Sequence, residues 1–169
     1  AEMKALADRH GLILIEDCAL SLLSSAGEAP LGSTGAAAVF CLYKTLPVPN
    51  GGALVQNGDR RYAWPELPPP PMLSTASHTV ASLLQNLEMR GGALGRGLRA
   101  GVRVLGAGVV QAGHLERVAT GTQHFEREHV DLGVSRLSRR IWGTQDFPRI
   151  VALRRRNYFF LLARLREVT

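Results

Sequence analysis

A chain of 169 residues, 46% hydrophobic and 20% charged, holds enough material for one sizeable core. Its net charge of +6 is unevenly placed: residues 1–85 hold five Lys/Arg against seven Asp/Glu, and residues 86–169 hold fifteen against seven. No apolar run reaches the roughly eighteen residues of a membrane span, the histidines and cysteines have no metal-ligand spacing, and no nucleic-acid-binding motif accompanies the basic half, so a membrane span, a metal centre and a nucleic-acid partner are not expected.

The chain opens on a helical pattern, Ala1 to Leu6, already under way. Gly11-Leu12-Ile13-Leu14-Ile15 follows, a β-branched apolar run that reads as a buried parallel strand. It ends in Glu16-Asp17-Cys18-Ala19, and ligands of open α/β sheets bind outside the carboxyl ends of strands, which makes Asp17 a candidate site residue. A second strand is expected at Ala36–Cys41, and it delivers Lys44 to the same rim if the two strands are neighbours. Lys44 is one of two lysines against eighteen arginines. An amine condenses with an aldehyde only when unprotonated, and an apolar setting favours that form, so a lone lysine here invites imine chemistry. The competing reading is a lysine whose stem packs on the core while its ammonium reaches water. With a carboxylate beside it, the pair matches what tunes pyridoxal phosphate as an electron sink.

Gly51–Gln56 reads as the next strand, with Asn57-Gly58-Asp59 as its turn. Cys18 and Cys41 are expected to be free thiols, and the chain reads as cytoplasmic. Four consecutive prolines, Pro68–Pro71, impose extended geometry, so the stretch from Trp64 is a linker or surface strap, with a proline-recognition ligand as the alternative. From Ser74 the pattern turns helical through Val80, Leu83, Leu84 and Leu87. Residues 91–113 then carry eight glycines among arginines, and a flexible basic excursion is expected there, although Val102, Leu105 and Val109 are spaced for one face of a helix. A place near a substrate entrance or a membrane surface would suit it. Val134, Leu137 and Ile141, and then Ile150 to Leu165, recur at helical intervals with Pro148 between the two helices. Arg154-Arg155-Arg156 fans around the second helix and reads as its solvated side.

In order, spacing and residue type, Ala5 to Ala19, Gly27, Leu31-Gly32-Ser33-Thr34-Gly35, Phe40, Lys44 and Gly51-Gly52-Ala53-Leu54-Val55 resemble the DegT/DnrJ/EryC1/StrS sugar aminotransferases. A shorter echo runs through Gly133–Leu137 and Arg154–Tyr158. The resemblance implies an α/β fold: part of the large domain of a fold-type I pyridoxal-phosphate enzyme, with a mostly parallel sheet, flanking helices and a helical C-terminal half. Residues 1–62 would be the second half of the cofactor domain, 63–73 a proline-rich linker, 74–130 a helical, Gly/Arg-rich insertion, and 131–169 helices leading to a small C-terminal domain. The chain is expected to be a portion of a longer homodimeric enzyme, inactive alone.

By the same resemblance Lys44 is catalytic and carries the cofactor as an imine, Asp17 pairs with the pyridine nitrogen, Ala19 packs against the ring, and Ser135 stands where relatives place an asparagine that reaches the cofactor phosphate of a neighbouring subunit. The implied partners are an amino acid donor and a sugar-nucleotide acceptor. A sugar dehydratase, or a degenerate regulatory or binding relative, is the alternative. Two departures thin the pocket: Leu20 replaces a glutamine or histidine near the cofactor's phenolic oxygen, and Val39 replaces a phosphate-binding serine.

Overall fold

The computed structural model describes residues 2–58, 61–112 and 126–167. Helix α1 (Glu2–Arg9) has one buried residue, Ala7, and stops where Gly11 takes φ +63, a conformation that lets Leu12 N–H return to the Ala7 carbonyl at 2.8 Å. The architecture is mixed α/β. Strand β1 (Ile15–Asp17) leads to a two-stranded antiparallel hairpin, β2 (Ser25–Ala26) and β3 (Ala29–Pro30), turning at Gly27 with φ +63. Strands β4 (Ala37–Cys41) and β5 (Gly52–Gln56) complete a three-stranded sheet of order β1-β4-β5.

Only the β1/β4 pairing is parallel, with Ile15, Glu16 and Asp17 opposite Ala37, Ala38 and Val39. Strand β5 runs antiparallel to β4, so the expected mostly parallel sheet is half antiparallel among the described residues. The first strand also differs from expectation. It begins at Ile15, has a partner on one side only among the described residues, and leaves Ile13 79% exposed and Ile15 61% exposed. An apolar run matches a buried strand in composition, but burial needs neighbours on both edges and both faces, and the described residues do not supply them to β1.

The core lies under the segment joining β4 to β5, where buried Leu42, Leu46 and Val48 pack with Ile141, Trp142, Phe147 and Ile150. Those last residues belong to α3 (Arg136–Gly143) and α4 (Phe147–Arg166). Asp146 caps α4 by accepting the Arg149 N–H at 3.0 Å, and Pro148 sits in its first turn, where a missing N–H does no harm. The proline strap has no helix or strand, and its Pro68 carbonyl accepts the Gly133 N–H at 2.8 Å.

Helix α2 (Met72–Ala112) takes up the helical pattern expected from Ser74. The flexible excursion expected at 91–113 is helical as far as Ala112, interrupted only at Gly92 (φ 54, ψ −123). The three- and four-residue apolar spacing outweighs the glycines. Gly113 lies outside the described residues, as does the end of the turn expected at Asn57–Asp59.

Candidate functional site

The parallel register fixes which sheet face each residue shares. Asp17 pairs with Val39, and Val39 with Leu54, so these three lie on one face. That face is open: Val39 is 41% exposed and Leu54 similarly so. Glu16 and Ala38 share the opposite face, which the loop through Gly32–Gly35 covers.

Glu16 holds that loop. Its carboxylate accepts N–H groups from Gly35 at 2.6 Å, Thr34 at 2.8 Å and Gly32 at 3.2 Å. The amide dipoles, that of Gly35 foremost, lower its pKa against the opposing effect of burial. Asn57 closes the loop from the other end, donating to the carbonyls of Gly32 at 2.6 Å and Gly35 at 3.0 Å. A β-carbon on Gly32 would sit 2.5 Å from Phe40 Cζ, so the loop lies flat on β4 only because that residue is glycine.

Asp17 therefore ends β1 on the open face with its carboxylate exposed, its only hydrogen bond among the described residues coming from the Ala19 N–H at 3.0 Å. Ala19, two positions on, is half-buried, and Leu20 is 76% exposed. Lys44 lies three residues beyond β4, half-buried, with no hydrogen bond or ion pair among the described residues. Lys4, in contrast, is paired with Asp8. Because β1 and β4 are parallel neighbours, Asp17 and Lys44 leave the sheet at the same carboxyl end. An open cleft of about 440 Å3 between α1 and the free edge of β1 is lined by Met3, Lys4, Ile15, Asp17 and Cys18 among others, and Lys44 does not line it.

Both cysteines are free. Burial, then the charges of Glu16 and Asp17, push the Cys18 thiol up, and Tyr43 is pushed up to about 12 by its hydrogen bond with Cys41 and by burial. Cys18 is inert packing beside the acid.

The Lys44 segment is held in place by Asn50 and Ser138, which the sequence reading did not single out, together with Ser135, which it did. Asn50 Oδ1 accepts from the Ser138 hydroxyl at 2.8 Å and from the Ser135 N–H at 3.2 Å. The Ser135 hydroxyl donates to Ser138 Oγ at 3.0 Å and, as the cap of α3, accepts the Ser138 N–H at 3.1 Å. Ser138 is 0% exposed and Ser135 2%. Ser135 is thus engaged within the chain, and an outward donation from its hydroxyl to a phosphate would replace its bond to Ser138 Oγ. Gly51, with φ +123, completes the turn, and a β-carbon there would lie 2.8 Å from Val134 Cγ2.

Residues 1–64 match the DegT/DnrJ/EryC1/StrS aminotransferase family. The matched segment of this aminotransferase family contains Asp17, Ala19, Lys44, the Glu16-bound loop and the double glycine, and it is the family that the sequence resembles. No curated protein and no solved structure matches the chain.

Proposed function

We propose that the chain carries the lysine and aspartate of a pyridoxal-phosphate site of fold-type I, and that the protein transfers an amino group from an amino acid to a nucleotide-linked ketosugar. The observation that carries this reading is the departure of Asp17 and Lys44 from one end of a parallel strand pair inside the segment matched to an aminotransferase family.

The residues present fit the cofactor: an amine without an ion pair and a carboxylate with one oxygen uncommitted, among the described residues, follow the same end of the parallel strand pair. Pyridoxal phosphate, when bound, supplies an electron sink for the carbon bearing the donor's nitrogen. Asp17 would hold a proton on the heterocycle nitrogen, Ala19 would seat the ring, and the Lys44 Nζ would take the proton from the donor's α-carbon as general base and return it as general acid, with the same steps reversed on the acceptor. Homodimerisation belongs to the same proposal.

The two lysines give a test with an internal control. Pyridoxal phosphate added to the full chain, followed by borohydride reduction and peptide mass spectrometry, is expected to mark Lys44 well before Lys4, and Lys44→Ala is expected to abolish the fast labelling. Equal labelling of both lysines would remove the basis of the proposal. The exposed apolar side chains of Leu20 and Val39, where relatives use polar ones, favour a second reading in which the cofactor is weakly held and the protein binds or regulates. Saturation only at high cofactor concentration, with no amino transfer from any donor, would select it.

A further inference from the structure

We propose that Arg154 binds the phosphate of the cofactor whose aldehyde Lys44 receives. The inference rests on the pyridoxal-phosphate reading above and adds to it the residue that holds the ligand's anionic end. Arg154-Arg155-Arg156 reads from sequence as a solvated run, and all three are exposed. The structure separates them. Ile150, in the first turn of α4, packs against the core beneath the segment joining β4 to β5. Arg154 lies one turn further along the same side of the helix, a rise of about 6 Å. Its Nη1 donates at 3.5 Å to the carbonyl of Thr45, the residue directly after Lys44. Arg155 and Arg156 have no hydrogen bond or ion pair among the described residues.

Pyridoxal phosphate carries its phosphate on the ring position next to the aldehyde, so an amine that takes the aldehyde brings the phosphate beside its own neighbours in the chain. Thr45 is one of those neighbours, and its place is fixed: the Thr45 and Leu46 N–H groups both return to the Leu42 carbonyl, at 3.1 and 2.8 Å. Two other donor sets border these segments, and both are committed. Gly32, Thr34 and Gly35 give their N–H groups to Glu16, and the Ser135 and Ser138 hydroxyls donate to Ser138 and Asn50. A phosphate also needs a counter-charge. Lys44 is occupied with the aldehyde, and Lys4 is paired with Asp8. No other arginine donates to the segment between β4 and β5 among the described residues, and no carboxylate there pairs with Arg154. A guanidinium carries several N–H donors. One long bond to a neutral carbonyl leaves the rest for a phosphate, in the fork that matches its oxygens.

The test labels the full chain with pyridoxal phosphate or with pyridoxal, which lacks the phosphate, each trapped by borohydride and mapped by peptide mass spectrometry. The ratio of Lys44 to Lys4 labelling within each sample cancels the intrinsic reactivity of the two aldehydes. That ratio is expected to be on the order of 10–100-fold higher with pyridoxal phosphate, the range of a charge-assisted contact. Arg154→Gln is expected to bring the two ratios together without lowering the pyridoxal one, which shows that the fold is intact. Arg154→Lys, which keeps the charge without the fork, is expected to retain part of the difference, and Arg155→Gln and Arg156→Gln all of it. Equal ratios in the parent would overturn the assignment, as would a difference that survives Arg154→Gln or is lost equally in Arg155→Gln. An equal fall with both aldehydes in Arg154→Gln would also overturn it, by showing a structural role alone. In each of these cases Lys44 still reacts ahead of Lys4. Lys44 reacting no faster than Lys4 with either aldehyde would instead remove the reading on which the assignment rests.

Discussion

Replacing Asn50 by alanine tests whether the turn after Lys44 is set by the start of α3. The side chain accepts from a fully buried hydroxyl, Ser138, and from the backbone of buried Ser135. Each buried donor left unsatisfied costs about 1–3 kcal/mol, so Asn50→Ala is expected to destabilise by roughly 2–4 kcal/mol, a large share of a domain's typical 5–15 kcal/mol. Ser138→Ala removes a donor to Asn50, which keeps the Ser135 N–H, but it also takes away the acceptor of the buried Ser135 hydroxyl, so about 1–3 kcal/mol is expected. Because one removal changes what the other exposes, the double variant should lie below the sum, with a coupling of about 1–2 kcal/mol. Urea unfolding followed by the fluorescence of Trp142, whose ring stands 5.0 Å from Phe147, reads the transition in a Trp64→Phe background. Additive losses, or an Asn50→Ala loss below about 0.5 kcal/mol, would show that the turn stands without this network.

Gly51→Ala places a β-carbon 2.8 Å from Val134 on a backbone with φ +123, and a loss of about 1–3 kcal/mol in the same assay is expected. The amides around Glu16 lower its pKa below the ordinary 4.5, so it adds stability that is complete above 4.5 and lost as pH falls through the lower folded value. Glu16→Gln should therefore flatten the acid limb of a stability-against-pH curve and leave its slope above neutrality unchanged. Cys18, buried and with its thiol pushed up, should react with a thiol reagent near neutral pH only at the rate of local opening, and urea should accelerate that reaction sharply. In the proposed enzyme Lys44→Ala should lower turnover by about 10²–10⁴-fold with the thermal transition unchanged, measured by amino transfer and by calorimetry.

Local patterns carried the strands and helices: the apolar run before Glu16-Asp17, the alanine-rich β4, the helical spacing of α3 and α4. Residue order within 1–64 carried Asp17, Ala19 and Lys44 as candidates. What the sequence could not display was pairing. A run such as Gly11–Ile15 has the composition of an interior strand whether or not neighbours flank it, and only the register showed an open edge and an exposed Ile15. The clasp of Glu16 on Gly32–Gly35 bridges up to nineteen residues and the Asn50–Ser138 contact eighty-eight, distances over which no periodicity signals contact. The helix through 93–112 was legible only as a spacing that competed with glycine content.

The proline strap is short and stiff. Pro68 is bonded to Gly133, and Glu66 is paired with Arg139 of α3 at 3.1 Å, while α3 in turn grips Asn50. The root of α2, with Pro70 and Ser74 buried, is therefore tied by a few rigid links to the turn that follows Lys44. The start of the long helix and the turn after Lys44 are thus both fastened to α3 and the residues just before it, so a change at the start of α3 touches both.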